Sequence, residues 1–339
     1  MKKGGQRPWW VTPLWIVAIF AVGIEVLRFI PSGQVVESPG VTGNLSKMVA
    51  VVHGKKLSPG RMLMVAVDIG TASEFEYLTG RFRPTLTFHP ERQVLGPLNM
   101  NQYIQYNNGL MSQSQIAAKV AGEHLAGLNA HIRMLSGALV VAILKTGAAY
   151  KKLMPGDVIT KIGRYPVSRF SDVRRVMSHF RVGEIINVTV KRQGQTQVIP
   201  IKTTRIPNDP DPAIGIVVGP VTQPVIPRPA QIKAGQIGGP SAGMMFALEI
   251  YDQITGRNIA HGHIVAGTGE ITPNGQVLEI GGVRQKVVTV YRAGARVFVV
   301  PKANYHAARA MAAKMGYHMK IFAVTNIDQA LHDIESATS

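Results

Sequence analysis

The chain of 339 residues is long enough for two domains, and with 46% hydrophobic and 17% charged residues it can bury real cores. It contains no cysteine, which excludes disulfides, thiolate metal sites and a cysteine nucleophile. The formal net charge of +18 predicts an anionic neighbour such as a membrane surface or a cell-wall polymer. Nucleic acid is not expected as a partner, because the basic residues form no run interleaved with stacking aromatics.

The N-terminus carries an apolar run preceded by positive charge. Lys2, Lys3 and Arg7 come before apolar residues that extend from Trp9 to Ile30, and Pro31 ends the run. This pattern predicts a cytoplasmic tail over residues 1–8 and a transmembrane helix over 9–30. The rest of the chain is then extracellular, on a single-pass protein of the cell membrane. The alternative is a cleaved signal peptide, with residues 21–23 as a weak cleavage site.

Residues 31–130 read as an N-terminal region that packs on the last domain. Residues 32–45 are rich in glycine, serine and proline and indicate a loop or linker. The apolar residues from Arg61 to Ile69 predict a buried strand, whereas residues 80–110 give no clear element. An apolar stripe from Ser112 to Leu128 predicts a helix that Ser112 caps.

Residues 131–205 form a compact series of predicted elements. A strand at Gly137–Ile143, a turn and strand around Pro155-Gly156-Asp157-Val158-Ile159, a helix at 171–180 and a hairpin at 185–201 follow one another. This order resembles a bacterial PDZ domain. The resemblance implies that peptide ends bind in a groove beside residues 139–143, by strand addition. Its peptide-binding residues would be Leu135, Ser136, Gly137, Ala138 and Leu139, the first four in the position of the carboxylate-binding loop.

The departure of Leu135-Ser136-Gly137-Ala138 from the family's usual loop sequence leaves the ligand class open, and the module could instead only position the next domain. The seven prolines of residues 206–230 predict a connection with edge-strand character.

The last domain, residues 231–339, alternates predicted strands and helices and is therefore of the α/β class. Its most distinctive stretch is Gly238-Gly239-Pro240-Ser241-Ala242-Gly243, which leads directly into an apolar helix. Ser241 then lies near free backbone N–H groups and the positive end of the helix dipole, a setting that suits a developing oxyanion. The alternative is an ordinary serine N-cap.

A serine nucleophile needs a base, and two kinds are available. The G-x-S-x-G pattern around Ser241 is typical of α/β-hydrolases and requires an acid and a histidine downstream, for which the candidates are Asp252, His261, His263, His306 and His318. Lys286 lies on the flank of an apolar helix stripe with Val283 and Val290. A lysine held in apolar surroundings has a lowered pKa and can act as a neutral base. The alternative is a lysine whose ammonium extends to water.

Several motifs follow one another with the spacing of the Lon protease proteolytic domain, which they resemble over about residues 230–335. They are Gly239-Pro240-Ser241-Ala242-Gly243, Thr268-Gly269-Glu270-Ile271-Thr272, Gly275-Gln276-Val277, Ile280-Gly281-Gly282-Val283-Arg284-Gln285-Lys286 and Val300-Pro301-Lys302-Ala303-Asn304. The resemblance implies that Ser241 is the nucleophile and Lys286 the general base. It also implies supporting roles for Thr268, which orients the lysine, and for Glu270, Gly239 and Pro240.

The chain departs from the Lon pattern in two ways. Gly238 stands where the family usually has aspartate, and the ATPase motif G-x-x-x-x-G-K-[ST] is absent from the sequence. An anchor, a PDZ domain and a Lon-type domain without ATPase resemble the membrane-anchored, PDZ-containing Lon-like proteins of Gram-positive bacteria, the YlbL-like group.

The expected activity is that of an ATP-independent serine endopeptidase that acts on flexible or unfolded protein segments. No cofactor or metal is expected, and the chain could form a homo-oligomer. Two alternatives stay open: a catalytically silent PDZ scaffold on a Lon-type fold, and a Ser-His esterase or hydrolase.

Overall fold

The computed structural model describes residues 21–55, 60–205 and 211–339. They form two compact units, of which the first joins the chain up to His131 with Ile226–Ser339, and the second is Ile132–Val225. The second unit therefore interrupts the first in sequence.

The first segment of the larger unit supplies strands and one long helix. Its strands are β1 (Pro31–Asn44), β2 (Val49–Val51), β3 (Arg61–Ser73) and β4 (Thr87–Pro90), and its helices are α1 (Leu45–Met48), α2 (Glu74–Gly80), α3 (Glu91–Leu95) and α4 (Met100–Leu125). The predicted strand at 61–69 is confirmed as the first part of β3. Because β1, β3 and β4 lie in one sheet, residues 31–130 contribute directly to the main fold.

The interrupting unit is built from strands β5 (His131–Ile143), β6 (Val158–Ile162), β7 (Tyr165–Pro166), β8 (Ile185–Arg192), β9 (Gln195–Lys202), β10 (Thr204–Arg205), β11 (Pro212–Ala213) and β12 (Ile216–Val225), with helix α5 (Asp172–Met177). Its larger sheet has the order β12-β5-β6-β8-β9, and β7 pairs with β6. The predicted strands and hairpin of residues 137–201 are present, and β12 lies in the stretch predicted as a connection with edge-strand character, where it forms an edge of this sheet.

The second segment of the larger unit carries β13 (Ala230–Ile232), α6 (Gly243–Thr255), β14 (Ile264–Gly267), β15 (Glu270–Ile271), β16 (Val277–Leu278), α7 (Val283–Arg292), β17 (Val297–Pro301), a 3-10 helix (Lys302–Asn304), α8 (Tyr305–Lys314), β18 (Lys320–Val324) and α9 (Ile327–Thr338). The main sheet has the order β18-β17-β14-β3-β1-β4. Strands β18, β17, β14 and β3 are parallel to one another, and β1 is antiparallel to β3 and β4.

The prediction of a linker over residues 32–45 is wrong, because these residues form β1. The strand tolerates its glycines and prolines through register shifts, one of which lies between Pro39 and Thr42. Gly40 lies at that irregularity, and a Cβ there would come within 2.7 Å of the Ala66 carbonyl oxygen. The glycine is needed for the close approach of β1 to β3.

Helix α4 starts twelve residues earlier than the predicted helix and ends at Leu125. Asn99 and Gln102 form a reciprocal capping box at its start, so Ser112 is an interior residue whose hydroxyl donates to the Asn108 carbonyl. Ser112 therefore does not cap the helix.

Within the described residues, no helix is both long and apolar enough to cross a membrane. Residues 21–27 are helical, and β1 begins shortly afterwards at Pro31. Most of the predicted span at 9–30 and the whole tail at 1–8 lie outside the described residues, so the anchor stays a sequence-based expectation.

Candidate active site

The loop before α6 places Ser241 two residues ahead of the helix. Ala242 is the N-cap and makes no side-chain capping bond, so the interpretation of Ser241 as an N-cap is wrong. Gly239 has a φ of 84°, a left-handed conformation that favours glycine. The helix behind the loop is buried on all sides from Gly243 to Gln253, not on one face only, which fixes the loop against the core.

Helix α4 holds this loop from the other side. The N–H of Gly239 donates to the Asn107 carbonyl over 2.9 Å, and the buried Ser114 hydroxyl donates to the Pro240 carbonyl over 2.9 Å. Ser114 also touches the start of α6, because a Cβ on Gly243 would lie 2.5 Å from its oxygen. Two residues of the N-terminal segment thus position the two residues that precede Ser241.

Helix α7 brings Lys286 to the same point. Gly282 opens the helix in a left-handed conformation and leads Lys286 inward, where the residue is only 2% exposed. Its Nζ lies 2.8 Å from the Ser241 Oγ and 3.1 Å from the Thr268 Oγ1. The ammonium does not extend to water, so the alternative of a solvent-facing lysine is wrong.

Thr268 connects the two side chains. Its hydroxyl accepts from Lys286 and donates to the Ser241 carbonyl over 3.0 Å. It is fully buried at the end of β14, and its N–H donates to the Val299 carbonyl on the neighbouring strand. The side chain therefore has a fixed position from which to orient the lysine.

Burial lowers the pKa of Lys286 from 10.5 to about 7, and the negative charge of Glu37 opposes this shift. Removing a charged group from water disfavours its charged form, so the amine loses its proton far more readily than an exposed lysine does. With a pKa of about 7, the neutral amine is readily available at neutral pH, unlike that of an exposed lysine.

Ser241 and Lys286 open into a groove of about 320 Å³. Helix α4 contributes residues at helical spacing to its lining, and β1 and β3 contribute others. The lining residues are Glu37, Ala66, Val67, Ile69, Met100, Tyr103, Ile104, Asn107, Asn108, Gln236, Gly238, Gly239, Pro240, Ser241, Gly281 and Lys286. The groove could hold an extended peptide segment next to the serine.

Backbone donors remain available beside the serine. In the described part of the chain, the N–H groups of Ser241 and Ala242 donate to no protein acceptor, whereas those of Gly239 and Gly243 are occupied. Free donors at a helix start favour negative charge on an oxygen placed there.

The remaining predicted residues lie elsewhere. Glu270 is half-buried in β15 and does not line the groove, and burial raises the pKa of its carboxyl group. Among the described residues that line the groove there is no histidine. His261 instead contacts the Thr338 hydroxyl over 3.2 Å at the end of α9. The Ser-His alternative therefore has no support in the geometry.

Three residues that line the groove or hold the loop before Ser241 were not predicted from the sequence: Glu37, Asn107 and Ser114. Glu37 stands in the stretch taken for a linker, and Asn107 in the region without a clear element. The Asn99-x-x-Gln102 capping box was the signal that would have extended α4 over Asn107.

In the interrupting unit, residues 135–139 lie within β5 and not in a loop. Leu135, Ser136 and Gly137 line a groove of about 490 Å³ together with Arg169 and Phe170, and Leu139 pairs with Val158 of β6. The second edge of β5 is paired with β12, so no peptide strand can be added beside residues 139–143 as predicted.

Known proteins resemble parts of this chain. A family model described as the Lon protease (S16) C-terminal proteolytic domain matches residues 230–335, and a PDZ domain model matches residues 112–203. The chain therefore carries a Lon-type proteolytic domain together with a PDZ domain.

A Lon protease of Roseiflexus castenholzii is 42% identical over 93 residues, which are 27% of this chain and 11% of that protein. Lon protease 1 of Herpetosiphon aurantiacus is 46% identical over 79 residues, which are 23% of this chain and 9% of that protein. The matched segments span about a tenth of the length of these relatives.

Two solved PDZ domains also resemble the chain. The PDZ domain of the SdrC-like protein of Listeria monocytogenes is 23% identical, covers 25% of this chain and 90% of its own, and has a TM-score of 0.24. That of the SdrC-like protein of Listeria innocua is 24% identical, covers 24% of this chain and 92% of its own, and has a TM-score of 0.23. These scores are too low to carry a structural argument, and the PDZ assignment rests on the family model.

Proposed function

We propose that the protein is a serine endopeptidase in which Ser241 is the nucleophile and Lys286 the general base. The observation that carries this proposal is the 2.8 Å contact between the Ser241 Oγ and a lysine Nζ that is almost completely buried. A buried lysine with a pKa of about 7 is a base that works at neutral pH.

In the charged form, the Lys286 ammonium donates to Ser241 and the pair is at rest. Once the amine is neutral, the direction of the hydrogen bond reverses and the Ser241 O–H donates to the Lys286 Nζ. The Ser241 oxygen then attacks the peptide carbonyl while Lys286 takes the proton, and Lys286 returns a proton to the leaving amine. A water molecule, deprotonated by the same amine, hydrolyses the acyl-enzyme.

The oxyanion formed in each addition step is placed beside the N–H groups of Ser241 and Ala242. These donors are already oriented by the bonds of their neighbours Gly239 and Gly243, so little reorganisation is needed. One such donor typically contributes about 3 kcal/mol of transition-state stabilisation.

The substrates proposed are flexible or unfolded protein segments, cleaved without ATP. The groove has a volume of about 320 Å³, which suits an extended chain more than a folded surface. The sequence contains no G-x-x-x-x-G-K-[ST] motif that would supply an ATP-driven unfolding step.

A serine-reactive fluorophosphonate probe tests the proposal on the purified full chain, together with cleavage of an unfolded protein such as casein without ATP. We expect covalent labelling at Ser241 and cleavage, both of which Ser241→Ala abolishes. If the folded wild-type chain neither takes up the probe nor cleaves the substrate, the silent scaffold replaces the peptidase.

We also propose that the PDZ domain binds peptide ends and presents them to the protease. The place for strand addition is the outer edge of β12, which has no neighbouring strand in the described part of the sheet. Titration of the full chain with C-terminal peptide libraries should give weak binders with a Kd of about 1 μM. A library without binders would favour the role of a spacer.

The membrane anchor is proposed on the basis of the sequence alone, from the basic residues before the apolar run. A protease added to intact cells should digest the chain after Pro31. Protection in intact cells combined with digestion after lysis would contradict an extracellular position.

A further inference from the structure

Glu37 is the only carboxylate among the described residues that line the groove with Ser241 and Lys286. It lies in the middle of β1, where it pairs with Ile69 of β3 on one side and Thr87 of β4 on the other. No mechanistic step described above requires it, yet the fold places it in the lining of the groove that holds Ser241 and Lys286.

Helix α7 rests on this part of the sheet. The Gln285 side chain donates to the Thr87 hydroxyl over 2.7 Å, one strand away from Glu37. At the start of the helix, a Cβ on Gly282 would lie 2.7 Å from a side-chain carbon of Val67. The turn that carries Lys286 is thus pressed onto β1 and β3 at the level of Glu37.

The charge of Glu37 is kept near the groove. Its side chain is 17% exposed, and its Oε2 lies 3.8 Å from the His89 Nε2 on β4. Glu37 is the one charged group found to act on Lys286 in the described part of the chain. The other titratable groups on elements packed against α7 are Arg61 and Asp68 on β3 and Tyr305, His306, Arg309 and Lys314 on α8.

We propose that Glu37 is a positioning residue that favours the ammonium form of Lys286 and thereby sets the pH above which the pair can act. This inference rests on the proposed function of that pair. An opposite charge stabilises an ammonium, whereas burial alone destabilises it. Glu37 therefore holds the protease at rest at acidic pH and lets it act only as the medium approaches neutrality.

The electrostatic role makes a distinct prediction for Glu37→Gln, which keeps the shape of the side chain and removes its charge. The acidic limb of kcat/KM against pH should move to lower pH by about one unit, because the ammonium loses its counter-charge. The plateau at high pH should stay close to that of the wild type. Glu37→Asp retains the charge, and the midpoint of its acidic limb should lie close to that of the wild type.

Two controls separate this role from a structural one. Glu279→Gln removes the same charge from an exposed position on the residues leading to α7 and should leave the midpoint unchanged. A Glu37 that only stabilises the strand would lower the plateau in Glu37→Gln and leave the midpoint in place, and this result would overturn the proposal.

A second measurement does not depend on activity. NMR titration of the full chain labelled with 13Cε-lysine, with the Lys286 signal assigned through Lys286→Arg, reports its protonation directly. We expect the Lys286 midpoint to fall by about one pH unit in Glu37→Gln. An unchanged NMR midpoint overturns the role of Glu37, whereas a shifted midpoint in a protein without peptidase activity overturns only the proposed function.

Discussion

Lys286 of the protease unit and Asp157 of the PDZ unit are both buried, with exposures of 2% and 1%. Their partners differ. Asp157 forms an ion pair with Arg192 over 2.7 Å and accepts the N–H of Met154 over 2.9 Å. Within the described residues, the Lys286 Nζ has hydrogen bonds to two hydroxyl groups, those of Ser241 and Thr268.

The partners determine which form of each group is favoured. Burial would raise the pKa of Asp157, but the Arg192 and Met154 hydrogen bonds lower it below the ordinary value, so the carboxylate stays charged. For Lys286, only the charge of Glu37 is found to oppose the effect of burial within the described residues, and the pKa of the amine falls to about 7. A buried charge with a direct ionic partner is structural, whereas one with only hydroxyl partners can exchange its proton.

The strongest test of this contrast is Lys286→Arg. The guanidinium stays protonated and cannot act as a base, so we expect kcat/KM to fall by at least about 1,000-fold, equivalent to about 4 kcal/mol. Ser241→Ala should have an effect of similar size, and the double variant should lose little more, because the two residues act as one unit.

The measurement is peptide cleavage from pH 6 to 10 with wild-type and variant chains. The wild-type rate should rise through one limb near pH 7, set by the pKa of Lys286. Turnover close to wild type in Lys286→Arg would refute the Ser241–Lys286 pair.

A second buried group without an ionic partner allows the contrast to be tested through stability. Glu249 on α6 is 2% exposed, and Gln253 donates to it over 2.8 Å. Burial raises its pKa to about 7, the Gln253 bond opposes the shift, and the charge of Asp252 adds to it. The folded protein therefore binds this proton more tightly than the unfolded chain does.

For Glu249, the stabilisation is fully present below the unfolded pKa of about 4.3 and is lost as the pH rises to about 7. Lys286 has the opposite sign, because its stabilisation of the folded state is present above about pH 10.4 and is lost as the pH falls to about 7.

Compared with Glu249→Gln, the wild-type unit should lose about 3 kcal/mol of unfolding free energy between pH 4 and 8. Urea unfolding at each pH measures this loss, with Glu279→Gln as the exposed control; equal pH slopes for wild type and Glu249→Gln would contradict it.

The stability contributed by the paired charge of Asp157 should depend on its partner Arg192 and not on pH near neutrality. Asp157→Ala leaves Arg192 without its carboxylate, and we expect the PDZ unit to lose about 2 kcal/mol, less than for a full desolvated pair because Arg192 is partly exposed. Hydrogen exchange in β6 and β8 measures the loss, while probe labelling of Ser241 should stay unchanged. Arg175→Ala, which removes the exposed partner of Asp172, is the matched control and should have a much smaller effect.

The smallest expected effect concerns the support of the nucleophile loop. Ser114→Ala removes the donor to the Pro240 carbonyl, and we expect kcat to fall about tenfold, equivalent to about 1.4 kcal/mol. Ser112→Ala on the same helix removes a hydroxyl that bonds only within α4 and should leave kcat unchanged. Equal rates for both variants would show that Ser114 does not hold the loop.

The sequence predicted the C-terminal segment well because its elements are short and separated by clear signals. Gly282 opens α7, and the turn at 273–275 joins β15 to β16. The apolar flank of α7 was compatible both with a buried Lys286 and with one that extends to water, and the fold buries it. Local sequence patterns were sufficient to predict these helices and strands, because the residues of each element indicate it without reference to distant segments.

The N-terminal segment could not be predicted in this way. Its strand β1 is held by pairing with β3 and β4, and its glycines and prolines, which indicate a loop locally, are accommodated by bulges. The same long-range pairing brings Glu37 to the groove. In the PDZ unit, the prolines of residues 206–230 indicated edge-strand character, but the pairing of β12 with β5 joins two distant segments of the chain and could not be predicted from local pattern.

The pairing of β3 with β14 has a consequence for how the protein is made. Arg61 pairs with Ile264 and Met64 with Gly267, in parallel and about 200 residues apart in the chain. At a synthesis rate of about 5–20 residues per second, β3 leaves the ribosome at least about 10 s before its partner exists. During that interval the PDZ unit can already fold, while β1 and β3 wait with an unpaired edge that is open to association with other chains. The groove beside Ser241 is completed only after the last segment has emerged, so a nascent chain does not yet hold Ser241 and Lys286 together.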